Sequence, residues 1–164
     1  MKRDDKYYMQ LALKLALKAK GKTFPNPLVG ALLVKGDKII GQAFHAKAGF
    51  AHAEIIALDQ AGGKAKGATL YVTLEPCAHI GRTPPCVNRI IQSGVREVVV
   101  GMIDPNPLNN GQGIMLLKQS NIKIKVGILA DKLGKINEGF VKYITTGLPF
   151  VTVKVAQSLD GRIA

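Results

Sequence analysis

Three potential metal ligands constrain how this chain can fold. His52 is followed 25 positions later by Cys77, and Cys86 comes after eight further intervening residues. To bind one ion, these side chains must be brought together from three separate segments. One imidazole and two thiolates would leave the fourth tetrahedral position for water, whereas a structural zinc site has four protein ligands. The pattern therefore predicts a catalytic zinc site.

Glu54 is the candidate proton carrier at this site. It lies two positions after His52, and side chains two apart on a regular helix do not share a face, so it is not expected to bind the same ion. Zinc activates a bound water near neutral pH, and a neighbouring carboxylate can transfer the protons. Two alternatives stay open. His45 or His79 could be a fourth ligand that closes the site, and the cysteines could form a disulfide or be buried apolar residues.

Size and composition indicate an ordinary globular enzyme. A chain of 164 residues with 47% hydrophobic content can form one domain with a sizeable core. The N-terminal stretch has neither a small-residue cleavage pattern nor a long apolar span, so we expect a cytoplasmic protein without a membrane partner. A reducing compartment would also keep both cysteines available as thiolates.

The net charge of +12 invites a nucleic-acid interpretation, but the distribution of charge argues against it. Of the 23 basic residues, 18 are lysines scattered along the chain, and aromatic residues make up only 5%. Few side chains could therefore stack on bases. We expect a solvated lysine surface and no nucleic-acid partner; such a surface would also attract a phosphorylated small substrate.

Hydrophobic periodicity predicts an α/β fold with five strands. The predicted strands cover residues 28–34, 39–44, 68–74, 96–102 and 122–126, and the predicted helices cover about 5–20, a stretch after His52, 86–93, 112–120 and 133–144. The third strand delivers Cys77, and ligands at strand ends suit an open α/β sheet. A helix that begins near Cys86 would place backbone N–H groups beside its thiolate.

Four motifs, taken in order, resemble the bifunctional deaminase/reductase family of riboflavin biosynthesis. They are His52-Ala53-Glu54, Thr73-Leu74-Glu75-Pro76-Cys77, Gly81-Arg82-Thr83-Pro84-Pro85-Cys86 and Asp104-Pro105-Asn106-Pro107. The first two also match the general signature of zinc nucleobase deaminases. The resemblance covers essentially the whole chain and implies a cytidine-deaminase-like, three-layer fold with a central five-stranded mixed sheet flanked by helices.

The same resemblance implies a reaction and a set of site residues. The reaction is hydrolytic deamination of 2,5-diamino-6-ribosylamino-4(3H)-pyrimidinone 5′-phosphate, and relatives are oligomeric, so we expect a homo-oligomer. The implied zinc ligands, proton carrier and substrate contacts are His52, Cys77, Cys86, Glu54, Asn26, His45, His79 and Arg82. Arg82 suits the phosphate because a guanidinium can donate two parallel hydrogen bonds.

Structural roles are the alternative for these substrate contacts. Asn26 could bond its own loop backbone, the two histidines could be structural, and Arg82 could be a surface residue. Residues 104–107 are expected to form a turn. Ile80 and Phe50 depart from the residues common in the family, which leaves fine substrate contacts open without affecting the number of ligands.

The resemblance also implies a division of the chain. We expect a zinc deaminase domain over residues 1–146, and over 147–164 a linker with the truncated start of a reductase domain, whose first strand would be residues 150–155. Lys154 and Ala156 match nicotinamide-site positions of that domain. So short a segment cannot enclose a dinucleotide, so NADPH would bind only if the missing reductase domain were present.

Two other functions remain as alternatives. A tRNA or nucleoside deaminase would use the same chemistry, but its usual Pro-Cys-x-x-Cys spacing is shorter than the spacing between Cys77 and Cys86. A non-catalytic RNA-binding domain stabilised by zinc would have no use for Glu54 beside an open ligand position.

Overall fold

The computed structural model describes residues 3–81 and 84–163 and confirms the predicted fold class. A five-stranded mixed sheet lies between two layers of helices. The strands are β1 (Gly30–Lys35), β2 (Lys38–Phe44), β3 (Thr69–Leu74), β4 (Glu97–Met102) and β5 (Lys123–Val126). The helices are α1 (Asp5–Leu17), α2 (Ala53–Ala61), α3 (Cys86–Gln92), α4 (Gln112–Gln119), α5 (Ala130–Ile136) and α6 (Glu138–Thr146).

The strand order β2-β1-β3-β4-β5 places the end of β3 in the middle of the sheet. Strand β1 is antiparallel to both β2 and β3, whereas β3, β4 and β5 are parallel. The loops that follow β3 and β4 therefore leave the sheet side by side, and the N–H of Glu75 donates to the carbonyl of Met102 at 3.0 Å. This edge of the sheet is where an open α/β fold places its ligands.

The alternation of side chains along the central strands builds two cores. On one face, Leu33, Val72 and Val98 pack beneath α2, α3 and α4. On the other face, Leu32 and Val99 pack beneath α1 and α5. Successive strand residues point to opposite faces, so a sheet covered on both sides needs the nearly continuous apolar runs that the sequence contains.

Helix α1 packs unusually close to the sheet at Gly30. A Cβ atom at this position would overlap the carbonyl oxygen of Ala12, so only glycine fits without moving the helix. Helix α1 ends at Leu17, three residues earlier than predicted, and short turns continue the chain to Gly21, whose φ is +80°.

The prediction of a single helix over residues 133–144 is wrong, because this part of the chain forms two helices, α5 and α6, that are separated at Asn137. Asn137 has φ −108° and ψ 15°, which are not helical values. Its buried side chain accepts the N–H of Leu28 at 2.7 Å and donates to the carbonyl of Leu28 at 3.2 Å. These hydrogen bonds join Asn137 to the backbone of a residue 109 positions earlier in the chain. They therefore interrupt the continuous helix that the local periodicity predicted.

The segment after α6 does not form the strand predicted over residues 150–155. Val151, Val153 and Val155 are exposed, and no other part of the described chain pairs with this run. An isolated bridge joins Gln157 to Ile163 further along. Over the described ranges, no helix has both the length and the hydrophobicity needed to cross a bilayer.

Candidate active site

The structure brings the three predicted metal ligands together at the end of the sheet. His52 is the N-cap residue of α2, Cys77 follows β3, and Cys86 is the first residue of α3. The Nδ1 atom of His52 lies 3.0 Å from Sγ of Cys86 and 3.6 Å from Sγ of Cys77. All three ligand atoms lie within 4.8 Å of one another.

This donor set fits a zinc ion. With Zn–S of about 2.3 Å and Zn–N of about 2.0 Å, tetrahedral ligand atoms lie about 3.5 Å apart, which is close to the two nitrogen-to-sulfur distances. Both cysteines are free, which excludes the disulfide alternative. In the part of the chain that the structure describes, no fourth histidine, cysteine or carboxylate joins the group, so the closed site is not formed.

The two neighbouring thiols shift each other's pKa in opposite directions. The side chain of Cys86, assisted by His52 and the backbone N–H of Cys86 at 3.3 Å, lowers the pKa of Cys77 to about 4. The neighbouring Cys77 and burial raise the pKa of Cys86. The first N–H of α3 thus favours the thiolate of Cys77, whereas the sequence predicted that the helix start would favour Cys86.

Glu54 is buried in the first turn of α2, beside the ligand cluster but outside it. Only 3% of its surface is exposed. Burial raises the pKa of its carboxyl above the ordinary value, while the charge of His52 acts in the opposite direction. A carboxyl of this kind can hold a proton close to neutral pH better than an exposed one.

A cleft of about 380 Å³ opens above the cluster. Its lining includes the polar side chains of Asn26, His45, His52, Glu54 and His79. Phe140, Tyr143 and Ile144 of α6 also line the cleft, a contribution that the sequence analysis missed. None of the residues of α6 is fully buried.

Two of the predicted substrate contacts are bonded to each other. The side-chain amide of Asn26 lies 3.0 Å from Nε2 of His45, and Nδ1 of His45 lies 3.3 Å from the carbonyl oxygen of Ala51. A neutral imidazole with its proton on Nδ1 satisfies both contacts, and burial lowers the pKa of His45. His45 therefore fixes the orientation of the Asn26 amide.

The loop after Cys77 supplies the other predicted contacts. His79 lines the cleft, and its Nδ1 atom is buried with no hydrogen-bond partner in residues 3–81 and 84–163. A buried polar atom without a partner marks a place where a ligand or water can bind. Arg82 lies outside the described residues. Lys154 and Ala156 are exposed and do not line the cleft.

Residues 104–107 supply the turn chemistry that the sequence predicted, because Asp104 and Asn106 each accept the N–H two residues further on, and the backbone turn itself covers 107–110. The carboxylate of Asp104 accepts the N–H of Asn106 at 2.9 Å. Both residues line the cleft. Burial raises the pKa of the Asp104 carboxyl.

A three-layer α/β fold with one histidine and two cysteines beneath a cleft defines the class of zinc-dependent nucleobase and nucleotide deaminases. Residues 2–102 match the family model for the cytidine and deoxycytidylate deaminase zinc-binding region, and the chain belongs to this family. The match confirms the predicted zinc cofactor.

Comparison with individual proteins identifies more specific relatives within this family. The diaminohydroxyphosphoribosylamino-pyrimidine deaminase of Buchnera aphidicola subsp. Schizaphis graminum is 48% identical over 145 residues, which cover 88% of this chain and 99% of that protein. The riboflavin biosynthesis protein RibD of Aquifex aeolicus is 56% identical over 98% of this chain and 45% of its own length. The chain thus spans less than half of that relative.

The solved structure of Acinetobacter baumannii RibD, form 1, superposes on this chain with a TM-score of 0.93 and 53% identity. The superposition covers 96% of this chain and 44% of that one. The predicted resemblance and the predicted cytidine-deaminase-like fold are both confirmed.

Proposed function

We propose that this chain removes an amino group hydrolytically from 2,5-diamino-6-ribosylamino-4(3H)-pyrimidinone 5′-phosphate. The products are ammonia and 5-amino-6-ribosylamino-2,4-pyrimidinedione 5′-phosphate. The observation that carries the proposal is the convergence of the His52 imidazole, two thiols and the buried carboxyl of Glu54 at the base of one cleft. The name of the Buchnera relative supports this choice of substrate.

Zinc held by His52, Cys77 and Cys86 would supply a water activated for attack at neutral pH. Glu54 would take a proton from the attacking water as its oxygen adds to the ring carbon bearing the amine. It would pass this proton to the adjacent ring nitrogen, which receives the electron pair of the carbon–nitrogen double bond. Glu54 would then carry the remaining hydroxyl proton to the amine nitrogen. The bond from the ring carbon to this nitrogen breaks, ammonia leaves, and the carbonyl of the product forms. Burial raises the pKa of the Glu54 carboxyl, which suits it to hold the proton between the two steps. A zinc dication beside the carboxyl would act in the opposite direction and lower this pKa.

Asn26 and His45 would recognise the pyrimidine. The bond between Asn26 and His45 uses the amide nitrogen of Asn26, so its carbonyl oxygen can accept from an amino or ring N–H group of the substrate. Phe140 and Tyr143 supply apolar surface in the same cleft. A volume of about 380 Å³ lies in the range of small-molecule sites.

The phosphate and the assembly complete the proposal. His79, whose Nδ1 has no hydrogen-bond partner among the described residues, and Arg82 would bind the ribose phosphate end of the substrate. The net charge of +12 also attracts this anionic substrate. We propose a homo-oligomer without a nucleic-acid partner. Lys154 and Ala156 would contact NADPH only together with a reductase domain.

Replacing Glu54 with glutamine tests the proposed chemistry. Glutamine has nearly the same shape but cannot carry the proton, so Glu54→Gln should lower kcat by about 10²- to 10⁴-fold. Zinc content should stay unchanged because Glu54 is outside the ligand group. Asp59→Asn is the matched control: Asp59 lies on the same helix but is exposed, with an ion pair to Arg89 at 2.9 Å, and its replacement should leave kcat unchanged.

The assay measures ammonia release from the diaminopyrimidine phosphate, from cytidine and from tRNA. Wild-type turnover of cytidine or tRNA, but not of the diaminopyrimidine, would contradict the proposed substrate. Full turnover in Glu54→Gln would contradict the proposed proton transfer. No ammonia release from any of the three substrates by the wild-type chain would favour the non-catalytic alternative.

A further inference from the structure

The backbone on both sides of Cys77 is held by one buried side chain, Asn109. Its Oδ1 accepts the N–H of Ala78 at 2.8 Å, and its Nδ2 lies 3.4 Å from the carbonyl oxygen of Pro76. The same Nδ2 donates to Oδ2 of Asp104 at 3.2 Å. Asn109 is fully buried, although it belongs to a loop more than 30 residues further along the chain.

Glu75 ties the other end of the same loop to the sheet and to α4. Its Oε2 accepts the N–H groups of Asp104 at 3.1 Å and Gly111 at 3.0 Å, and its Oε1 accepts the N–H of Ile114 at 3.2 Å. Two of these N–H groups, those of Gly111 and Ile114, lie at the beginning of α4, where backbone donors have no partner within the helix. The residue just before Pro76-Cys77 therefore anchors the beginning of α4.

Close packing between α4 and the loop gives a third, independent sign of the same arrangement. A Cβ atom at Gly113 would overlap the carbonyl oxygen of Pro76, so α4 lies directly against the peptide that leads into Cys77. Neither Asn109 nor Glu75 belongs to the cluster of ligand atoms. Their effect on Cys77 must pass through the backbone of residues 75–78.

We infer that Asn109 and Glu75 are positioning residues that hold Cys77 in place to bind zinc. The inference rests on the proposed function, since it takes Cys77 to be a zinc ligand. A cysteine on a free loop would have to be ordered when the metal binds, which weakens binding, whereas a loop fixed at both neighbours is ordered in advance. Residues that orient metal ligands typically change metal affinity by about 10- to 100-fold when they are removed.

Asn109→Ala tests this role directly. We expect zinc affinity, measured by competition with a chromogenic chelator, to fall by about 10- to 100-fold. We also expect the thiolate-to-cobalt absorption of the cobalt(II) form to shift or weaken, because it depends on how Cys77 is oriented. Asn110→Ala is the matched control: it removes the same side chain from the adjacent, exposed position and should leave affinity and spectrum unchanged.

Thermal melting separates positioning from simple stabilisation. If Asn109→Ala melts earlier but keeps wild-type zinc affinity and the wild-type cobalt spectrum, Asn109 only stabilises the fold and the inference is overturned. If Asn109→Ala does not fold, Glu75→Gln decides by the same two measurements. It keeps the shape of the side chain but loses acceptor capacity for the backbone N–H groups, so we expect weaker zinc binding, and unchanged binding would overturn the inference.

These measurements use zinc and cobalt(II) but no substrate. A wild-type chain that binds zinc but does not deaminate the diaminopyrimidine phosphate would contradict the proposed function and leave the positioning role intact. If the wild-type chain is active and both variants bind metal as the wild type does, the proposed function stands and the positioning role is contradicted.

Discussion

Asn137 links two segments that border the cleft, and replacing it with alanine should affect both the stability of the fold and the binding of substrate. Its side chain makes a pair of hydrogen bonds with the N–H and the carbonyl of Leu28, in a site that is 3% exposed. Leu28 lies two residues after Asn26, and Asn137 lies directly before α6. Removing this side chain therefore loosens two walls of the cleft at once.

The size of the effect follows from the two backbone groups that lose their partner. A buried polar group left without a hydrogen bond costs about 1–3 kcal/mol. The N–H at 2.7 Å makes the shorter bond, and the carbonyl at 3.2 Å makes the longer one. We expect Asn137→Ala to lower the free energy of unfolding by about 2–4 kcal/mol, which for a domain of this size lowers the melting temperature by roughly 5–15 °C.

Urea unfolding at pH 7 measures the free energy, and steady-state kinetics measure the second effect. We expect KM for the diaminopyrimidine phosphate to rise more than kcat falls, because Glu54 and the ligand cluster keep their contacts. Asn88→Ala, at an exposed position on α3, should leave stability unchanged or slightly higher, since alanine is the better helix former. A change of less than about 0.5 kcal/mol in Asn137→Ala would refute the role given to these two hydrogen bonds.

Two further replacements test the packing of α1. Burial raises the pKa of Asp5, but hydrogen bonds from Lys125 at 2.6 Å and Tyr71 at 2.8 Å outweigh it and lower the pKa below its ordinary value of 3.8. The stabilisation is therefore complete above about pH 4 and lost as the pH falls further. Asp5→Asn should cost about 1 kcal/mol in urea at pH 7, because Lys125 is partly exposed, and less at pH 3; an equal cost at both values would contradict this sign. Gly30→Ala should destabilise by about 1–3 kcal/mol or more in the same assay, because its Cβ would overlap the carbonyl of Ala12, and wild-type stability would show that α1 shifts without cost.

Most of the fold could be predicted from local signals. The strands of the sheet are apolar runs bounded by turns, and they are found within about two residues of the predicted limits because burial on both faces requires such runs. Local periodicity failed where a distant contact determines the structure. Asn137 fits a helical pattern, yet its bonds to Leu28 end α5. The valines of residues 150–155 resemble a strand, but no neighbouring strand in the described chain pairs with them.

In the candidate site, too, some residues could be predicted from the sequence and others could not. His52, Glu54, Cys77 and Cys86 could be selected because their residue types and spacing suit one kind of chemistry, and the structure brings them together. Their roles stay predictions. The contribution of α6 and the backbone contacts of Asn109 could not be selected, because both depend on which distant segments meet.

X-ray absorption at the zinc edge of purified, active protein tests the central claim most directly. We predict one zinc per chain, with two sulfur ligands at about 2.3 Å and nitrogen or oxygen ligands at about 2.0 Å. Replacing Cys77 with serine should remove one sulfur and the activity together. Active protein that contains no zinc, or zinc surrounded by nitrogen and oxygen alone, would contradict this account.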